Sequence, residues 1–283
     1  ANTARTPLTG KTLGEARLRE LGVTVLGIWR RGQFEPATRE TLIDEHAILL
    51  LAGSAEQMEA YDEAFVIYNV SVEPVLIIGG GRVGQAASRL LSKRDVDWRL
   101  VERDESIPLD AERTVYGDAA DLEVLKRAGI DKAPAVLITT HDDDLNIYLT
   151  IYCRKLRPDI QIISRTNLDR NVATMHRAGA DFVISYASMA ATAMFNLVRD
   201  SGIVPIAEGL EIFRVPMPAS LVGKTLAESG VRQRTECSII GVGKGEDIMP
   251  NPPPGLTLEA GTELVLVGSP ETARRFHEAY VEG

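Results

Sequence analysis

Short apolar runs alternate with amphipathic stretches through residues 74–200 of the chain. The amphipathic stretches have apolar residues at helical spacing, as at Val83, Ala87 and Leu90, which is typical of helices that pack on a core. Strands separated by helical segments of about 10–15 residues predict an α/β fold with a Rossmann-type, doubly wound parallel sheet. The predicted strands are Val75–Ile78, Trp98–Glu102, Arg113–Tyr116, Ala135–Thr139, Gln161–Ser164 and Phe182–Ile184.

The segments on either side of this region repeat each other. The sequence Gly-Lys-Thr-Leu-Gly-Glu at Gly10–Glu15 recurs as Gly-Lys-Thr-Leu-Ala-Glu at Gly223–Glu228. Each copy continues with a β-type run, a polar loop, a strand that ends in glycine and a helix-like tail. Because these features come in the same order, residues 1–70 and 208–283 are predicted to be two copies of one small α+β module.

A polar loop is predicted in each copy, over Gly32–Glu40 and Gly243–Gly255. The second loop contains four prolines between residues 250 and 254, and proline supplies no N–H donor. We therefore expect no regular structure in this second loop.

The first strand of the central region leads directly into a glycine-rich turn. Gly79, Gly81 and Gly84 occupy the glycine positions of a G-x-G-x-x-G motif, and an amphipathic helix begins near Arg82. Such glycines allow a tight turn, close approach of the backbone to a pyrophosphate, and close packing of helix on strand. The helix N-terminus, including Arg82 and Val83, directs N–H groups at phosphate. This context predicts a nucleotide-binding loop.

Glu102 lies eighteen residues beyond Gly84, at the end of the second predicted strand. A carboxylate there suits the ribose hydroxyls of adenosine and repels a 2′-phosphate, which favours NAD, NADH, ADP or ATP over NADP. Arg103 opposes this preference, because a neighbouring arginine can accept the extra phosphate. The alternative role of Glu102 is that of an exposed carboxylate at a strand end.

The fourth predicted strand ends at Thr139, and Thr140, His141 and three aspartates at 142–144 follow it. We expect the two threonine hydroxyls to approach the ligand and the carboxylates to cap the next helix. The alternative is that the three adjacent aspartates bind a hard divalent cation. The sequence supplies no matching oxygen ligands elsewhere, so a cation is possible but unsupported and no metal site is predicted.

Two further groups follow strands at the edge where ligands bind in such sheets. Asp118 is placed either to contact the adenosine half of a ligand or to cap the helix that begins near Asp121. Arg165 is placed to neutralise a phosphate, with a surface ion pair as the alternative. The predicted ligand-binding residues are Gly79, Gly81, Arg82, Val83, Gly84, Glu102, Arg103, Gly117, Asp118, Ala119, Thr139, Thr140, His141 and Arg165.

Composition excludes several classes of protein. The net charge is −9 and the sequence has no basic patch, which argues against nucleic-acid binding. The longest unbroken apolar run, Ala47–Ala52, is far shorter than the roughly 20 residues that span a bilayer. Cys153 and Cys237 lie in apolar segments without metal or redox spacing, so we predict that both are core thiols in a reducing compartment.

The four histidines offer little to catalysis. Only His141 lies near the predicted ligand, and His176, beside Arg177 in a helical pattern, is expected to be solvated. A nicotinamide dehydrogenase needs a general acid or base with an orienting partner, and a substrate domain that closes over the ring. Neither flanking module has the size or the residues of such a domain. We therefore predict that the protein is not an enzyme.

Together these features resemble the RCK (KTN) regulators of potassium channels and Trk-type potassium uptake systems. The resemblance implies an RCK N-lobe over residues 74–200 and an RCK C-lobe over each of residues 1–70 and 208–283. It is carried by Ile77–Gly84, Gly117–Ala119, Leu137–Thr140 with Asp143 and Asn146, Gly179–Ile184, the two Gly-Lys-Thr-Leu sequences, and the closing strand that ends at Gly268.

The resemblance also implies a regulatory role. In this family N-lobes form rings under a membrane pore, bind nucleotides or ions, and change pore opening. It therefore implies a homo-oligomer at the cytoplasmic face of the membrane, a potassium pore in the same or another polypeptide, and NAD(H) or ADP/ATP as regulatory ligand. Ser188–Phe195 resembles the family's crossover helix. Its apolar face is expected to contact another subunit, with burial inside one subunit as the alternative.

A C-lobe that precedes an N-lobe implies a fragment of a tandem-RCK protein whose first N-lobe is missing, and the chain begins at Ala1 instead of Met. The tandem layout fits the gating ring of a potassium channel, which we favour, and also the soluble subunit of a Trk-type uptake system. An NAD-dependent oxidoreductase and a scaffold that binds no ligand are the remaining alternatives.

Overall fold

The computed structural model describes residues 6–30, 32–44, 47–69, 73–199, 203–207, 209–245 and 247–281. The chain forms two compact units, one of residues 70–190 and one of residues 1–69 together with 191–283. Within the described ranges, no helix combines the length and the apolar character needed to cross a membrane.

The first flanking module contains a small antiparallel sheet. Its elements are α1 (Leu13–Ala16), β1 (Thr24–Arg30), β2 (Gln33–Pro36), β3 (Ile48–Ala52) and α2 (Ala55–Asn69). The strands lie in the order β2-β1-β3. Ile28 and Leu49, on neighbouring strands, are buried together with Tyr61 of α2, so the helix covers one face of the sheet.

The central region folds around six parallel strands. Its elements are β4 (Val75–Ile78), α3 (Arg82–Lys93), β5 (Trp98–Glu102), β6 (Thr114–Tyr116), α4 (Leu122–Arg127), β7 (Ala135–Ile138), α5 (Asp143–Leu156), β8 (Gln161–Thr166), α6 (Val172–Ala178), β9 (Phe182–Ser185) and α7 (Tyr186–Arg199). The strand order is β6-β5-β4-β7-β8-β9, the order of dinucleotide-binding folds. The predicted doubly wound parallel sheet is confirmed, and its order reverses between β4 and β7, where a ligand crevice forms.

The second flanking module contains a five-stranded antiparallel sheet. Its elements are β10 (Val204–Ala207), β11 (Leu210–Pro216), α8 (Val231–Thr235), β12 (Ser238–Lys244), β13 (Asp247–Pro250), β14 (Glu263–Gly268) and α9 (Pro270–Tyr280). The order is β10-β11-β14-β12-β13. Phe276 and Tyr280 of α9 are buried against this sheet with Leu266 of β14.

The repeated Gly-Lys-Thr-Leu segments fold alike. The Thr12 side chain accepts a hydrogen bond from the Glu15 N–H at 3.3 Å, and the Glu15 carboxylate accepts one from the Thr12 N–H at 2.8 Å. Thr225 and Glu228 repeat this capping box at 3.3 and 2.9 Å. The bonds from threonine hold the pKa of both glutamates below its ordinary value. The same start signal therefore gives the same local structure in both α+β modules.

Both segments predicted as polar loops contain a strand, and the prediction that the second lacks regular structure was wrong. Strand β2 pairs with β1, and strand β13 pairs with β12. A glycine with positive φ precedes each strand, Gly32 at +85° and Gly245 at +61°, so the chain reverses tightly instead of forming a long loop. Pro36 and Pro250 end these strands at sheet edges, where a missing N–H breaks no ladder bond.

The two modules share one apolar cluster inside their compact unit. Leu26 of β1 is buried with Leu210 of β11 and Val267 of β14. A polar contact accompanies this cluster, because the Asn251 Nδ2 donates to the Gly22 carbonyl at 2.8 Å. The duplicated modules thus bury part of their apolar surface against each other.

His176 is buried, and the expectation that it is solvated was wrong. Its Nδ1 lies 3.0 Å from the Ala180 carbonyl oxygen, so the ring packs at the end of α6 and not on an outward face. Cys153 and Cys237 are buried as expected. Burial raises the pKa of the Cys153 thiol to about 12, which leaves it protonated and unreactive at neutral pH.

A buried ion pair connects α5 to the strands on one side of the sheet. The Arg154 Nη2 lies 2.8 Å from the Asp181 Oδ2, and the same arginine donates to the carbonyls of Ile160 at 2.6 Å and Gly179 at 2.8 Å. The Asp181 carboxylate also accepts from the Ile162 N–H at 2.7 Å. Removing the arginine would take its ion pair from the buried Asp181 carboxylate and its hydrogen bonds from the Ile160 and Gly179 carbonyls.

We predict that Arg154→Met destabilises the central unit by about 3–5 kcal/mol. Arg177→Met is the control, since Arg177 is exposed and, among the described residues, its guanidinium donates to the Thr174 hydroxyl at 2.9 Å; its expected cost is under about 0.5 kcal/mol. Native-state hydrogen exchange of peptides from β8 and β9 measures the difference. Equal protection in the two variants would show that the ion pair is not structurally important.

Candidate functional site

A cavity of about 850 Å³ opens at the carboxyl ends of the parallel strands. This volume suits a ligand of nucleotide size. All predicted ligand-binding residues except Gly84 line it. Asp142, expected beside Thr139–His141 at the rim, lines it as well. The lining also includes residues that the sequence did not single out for this role: Ile78, Val101, Asp104, Ile107, Leu145, Leu149 and Tyr186.

The glycine-rich turn is held by the neighbouring strands. Gly79 has φ +103°, and its N–H donates to the Val101 carbonyl at 2.9 Å. The Thr139 hydroxyl lies 3.0 Å from the Ile78 carbonyl oxygen and 2.9 Å from that of Gly79. Thr139 is thus a structural support of the turn as well as a residue of the cavity wall.

Gly84 supports the cavity from behind. A Cβ at this position would lie 1.9 Å from the Gly79 carbonyl oxygen, so only glycine permits this close contact of α3 with the turn. At Gly81, by contrast, a Cβ would meet no atom within 4 Å, and its φ of −68° suits any residue. The open space beside Gly81 belongs to the cavity.

Helix α3 begins at the cavity without a side-chain cap. Gly81 is its N-cap and has no side chain to accept hydrogen bonds. The first N–H groups of a helix have no carbonyl acceptor in a preceding turn. In α3 these groups include those of Arg82 and Val83, which line the cavity. Partial positive charge therefore faces the space where the sequence predicts phosphates.

Glu102 lies at the end of β5, beside the turn. Its Oε2 accepts from the Gly80 N–H at 2.5 Å, and its Oε1 accepts from the Asp104 N–H at 2.9 Å. These bonds fix the carboxylate, and each oxygen keeps acceptor capacity for a ribose hydroxyl. Arg103 lines the same cavity, so both charges discussed for 2′-phosphate discrimination are present.

Asp118 does not cap α4. The cap is Asp121, whose side chain accepts from the Glu123 N–H at 2.9 Å, whereas Asp118 accepts from the Ala120 N–H at 2.8 Å. Of the two roles considered for Asp118, the helix cap is therefore wrong. Gly117, Asp118 and Ala119 form the cavity wall beyond β6.

Two of the three aspartates after β7 have separate tasks. Asp142 caps α5 by accepting from the Asp144 and Leu145 N–H groups at 2.9 and 3.1 Å. Asp143 points to the segment after β8, where it accepts from the Thr166 hydroxyl at 2.7 Å and the Asn167 N–H at 2.9 Å. Burial acts to raise the pKa of Asp143, but these and further hydrogen bonds outweigh it and the pKa is lowered. Among described residues, no three His, Cys, Asp or Glu side chains form a metal-type cluster.

Arg165 extends into the cavity from the end of β8. Its Nη2 donates to the Asn167 Oδ1 at 2.6 Å, and its guanidinium carbon lies 4.5 Å from the centre of the Tyr186 ring. In the described part of the chain it makes no ion pair, so the surface ion pair considered from the sequence is wrong. The sequence did not indicate that Tyr186 lines the cavity. Tyr186 directly follows β9, and the parallel pairing of β9 with β8 places it beside Arg165.

His141 lines the cavity, but it has no orienting partner of the catalytic kind. Its backbone carbonyl accepts from the Asn167 Nδ2 at 2.7 Å, and no carboxylate of the described residues hydrogen-bonds its ring. A histidine that acts as general base is normally oriented by a second group. Among the described residues, His141 therefore does not form an oriented acid–base pair.

Family matches agree with this geometry. Residues 75–186 match the TrkA-N domain, and residues 3–66 and 210–280 each match the TrkA-C domain. The chain belongs to the TrkA-type RCK family. Two TrkA-C matches on either side of one TrkA-N match also agree with the internal repeat.

RCK proteins of known structure resemble almost the whole chain. The GsuK channel is 37% identical, with a TM-score of 0.57 over 98% of this chain and 51% of that chain. The GsuK channel bound to NAD is likewise 37% identical, with a TM-score of 0.56 over 99% of this chain and 52% of that chain. This RCK chain thus spans about half of each of those chains.

Sequence relatives include channels and an uptake protein. Potassium channel protein 1 of Methanocaldococcus jannaschii is 26% identical over 74% of this RCK chain and 66% of the relative. The Trk system potassium uptake protein TrkA homolog of Archaeoglobus fulgidus is 26% identical over 77% of this chain and 51% of the relative. The named relatives are transport proteins and not enzymes.

We predict that Gly81→Val abolishes binding of ADP and NAD to this RCK chain without loss of stability, because the new side chain fills open cavity space. Gly255→Val is the matched control, since a Cβ there also meets no atom within 4 Å and Gly255 lies in a flanking module. Gly84→Ala, in contrast, should lower the melting temperature. Calorimetric titration and thermal unfolding test all three variants; unchanged nucleotide affinity in Gly81→Val would refute the assignment of the cavity.

Proposed function

We propose that this chain is a ligand-sensing part of a potassium channel's gating ring and that NAD(H) or an adenine nucleotide binds its cavity to control potassium flux. The observation that carries this proposal is the meeting of an uncapped helix N-terminus with the fixed Glu102 carboxylate in one cavity of nucleotide size. An NAD-bound channel among the similar structures supports the choice of ligand.

Each group around the cavity has a proposed task. The diphosphate lies on Gly79, Gly81 and the first N–H groups of α3, those of Arg82 and Val83, while Gly84 supports the turn. Glu102 takes the adenosine ribose and disfavours NADP, with Arg103 beside it. Gly117, Asp118 and Ala119 border the adenosine, and Thr139, Thr140, His141 and Arg165 border the other half of the ligand.

The proposed organisation has an N-lobe over residues 74–200 between two C-lobes, at 1–70 and 208–283. We propose that such chains form a homo-oligomeric ring at the cytoplasmic face of the membrane, under a potassium pore in the same or another polypeptide. The side chains of Met189, Met194 and Phe195 on α7 are exposed, and this helix is the proposed contact with a neighbouring subunit. Exposed apolar surface of this kind is typical of protein interfaces.

Two other functions compete with this proposal. A soluble subunit of a Trk-type uptake system has the same domains, and the uptake relative favours it; it would act on a separate pore protein. An oxidoreductase would need an oriented acid or base near the nicotinamide, and His141 lacks one among the described residues. We therefore propose that bound nucleotide is not turned over; steady NADH oxidation that disappears in His141→Ala would contradict this.

We predict that nucleotide changes potassium flux through the full-length assembly by about 5- to 150-fold at saturation, because allosteric coupling is typically about 1–3 kcal/mol. Flux into liposomes is compared for wild type, Gly81→Val and the Gly255→Val control. The response should disappear in Gly81→Val and persist in the control.

The outcome that would contradict the proposal is a nucleotide response of equal size in Gly81→Val and wild type. A ligand shifts a gating equilibrium only through unequal affinity for its two states. An unaltered response in a variant that no longer binds nucleotide here would therefore place the sensor elsewhere.

A further inference from the structure

We propose that Arg165 and Tyr186 sense the occupant of one half of the cavity and so distinguish a dinucleotide such as NAD from ADP. This inference rests on the nucleotide binding proposed above. It adds a specific pair of residues: Arg165 contacts the ligand, and its contact with Tyr186 links ligand binding to the position of α7.

The cavity has two halves on either side of β4. Glu102 at the end of β5 and Asp118 beyond β6 border one half, and the residues after β7 together with Arg165 of β8 border the other. A carboxylate in the position of Glu102 takes the adenosine ribose, and the α3 N-terminus takes the phosphates. ADP therefore ends near β4. Strand β8 lies roughly 10 Å from β4, two strand spacings away, so only the second nucleoside of a dinucleotide extends to Arg165.

The Arg165 guanidinium is incompletely paired among the described residues. Its Nη2 bonds to Asn167, but its Nη1 lies 3.5 Å from the Thr139 carbonyl oxygen, at the limit of a hydrogen bond. Its Nε is buried and has no hydrogen-bond partner among the described residues. An unpaired buried donor is costly. A hydroxyl or carboxamide oxygen of the second nucleoside would provide an acceptor for Nη1, and a shift of the guanidinium toward it would also bring Nε out of its buried position.

The backbone of Arg165 is fixed, whereas its guanidinium can contact either the Tyr186 ring or a ligand in the cavity. The Asn146 Nδ2 donates to the Arg165 carbonyl at 3.0 Å, and Asp143 holds the following residues, as described above. The guanidinium stacks on the ring of Tyr186, a residue that is 46% exposed. A ligand that draws the guanidinium toward itself therefore weakens this stacking without moving β8.

Tyr186 carries the change into α7 because it is the first residue of that helix. The same end of α7 is also held by Ser188, whose hydroxyl donates to Asp169 at 2.9 Å. Asp169 lies in the segment that follows Arg165 along the chain. Loss of the Arg165–Tyr186 contact thus removes one of the contacts that position the start of α7.

The first test is calorimetric titration of the chain with NAD and with ADP. Arg165→Gln should weaken NAD binding by about tenfold, as expected for one charge-assisted hydrogen bond, and ADP binding by less than about twofold. Arg103→Gln, at the adenosine end, is the control and should not reproduce this selective loss of NAD affinity. Equal weakening for both nucleotides, or unchanged NAD affinity, would overturn the inference.

The second test is hydrogen exchange of the first turns of α7. NAD should change their exchange in the wild type and in Tyr186→Phe, which keeps the ring, but ADP should not. Tyr186→Ala should remove the NAD effect; an effect that persists there would contradict the inference. If neither nucleotide binds the wild type, the proposed function itself fails, which is a different result from binding without discrimination.

Discussion

Helix α3 contacts the turn after β4 so closely that a single methyl group at Gly84 would overlap the Gly79 carbonyl oxygen, 1.9 Å away. This contact sets where the helix N-terminus lies and therefore where phosphate can bind. The Thr139 hydroxyl holds the same carbonyl from β7, and Glu102 binds the adjacent Gly80 N–H from β5. Three neighbouring strands thus converge on one short turn, and the cavity forms around it.

The two halves of the cavity differ in how they connect to the rest of the chain. On the proposed adenosine side, Glu102 is fixed by backbone N–H groups, and we propose that this half selects and holds the ligand. On the other side, Arg165 stacks on the first residue of α7, and the division between the compact units falls within that helix. A ligand can bias two conformations only through contacts that differ between them, and we propose that the Arg165 contacts of this second half do so.

Periodicity and motif context predicted much of this molecule. Strands β4 and β5 have the predicted bounds. In β4 the signal is a continuous apolar run, as expected of a buried parallel strand. The repeat predicted both flanking modules, since the Thr12 capping box is a local signal. Strands β2 and β13 were missed because their signal is a turn glycine among polar residues. Tyr186 was missed as a cavity residue because only the pairing of β8 with β9 brings it to Arg165, and such long-range contacts have no local sequence signature.

The most direct measurement is an experimental structure of this chain with NAD bound. The account predicts that the diphosphate lies within hydrogen-bond distance of the N–H groups of Arg82 or Val83, that the adenosine ribose contacts Glu102, and that the second nucleoside extends toward Arg165. NAD bound in another cavity, or in this one with its diphosphate away from the α3 N-terminus, would contradict the account.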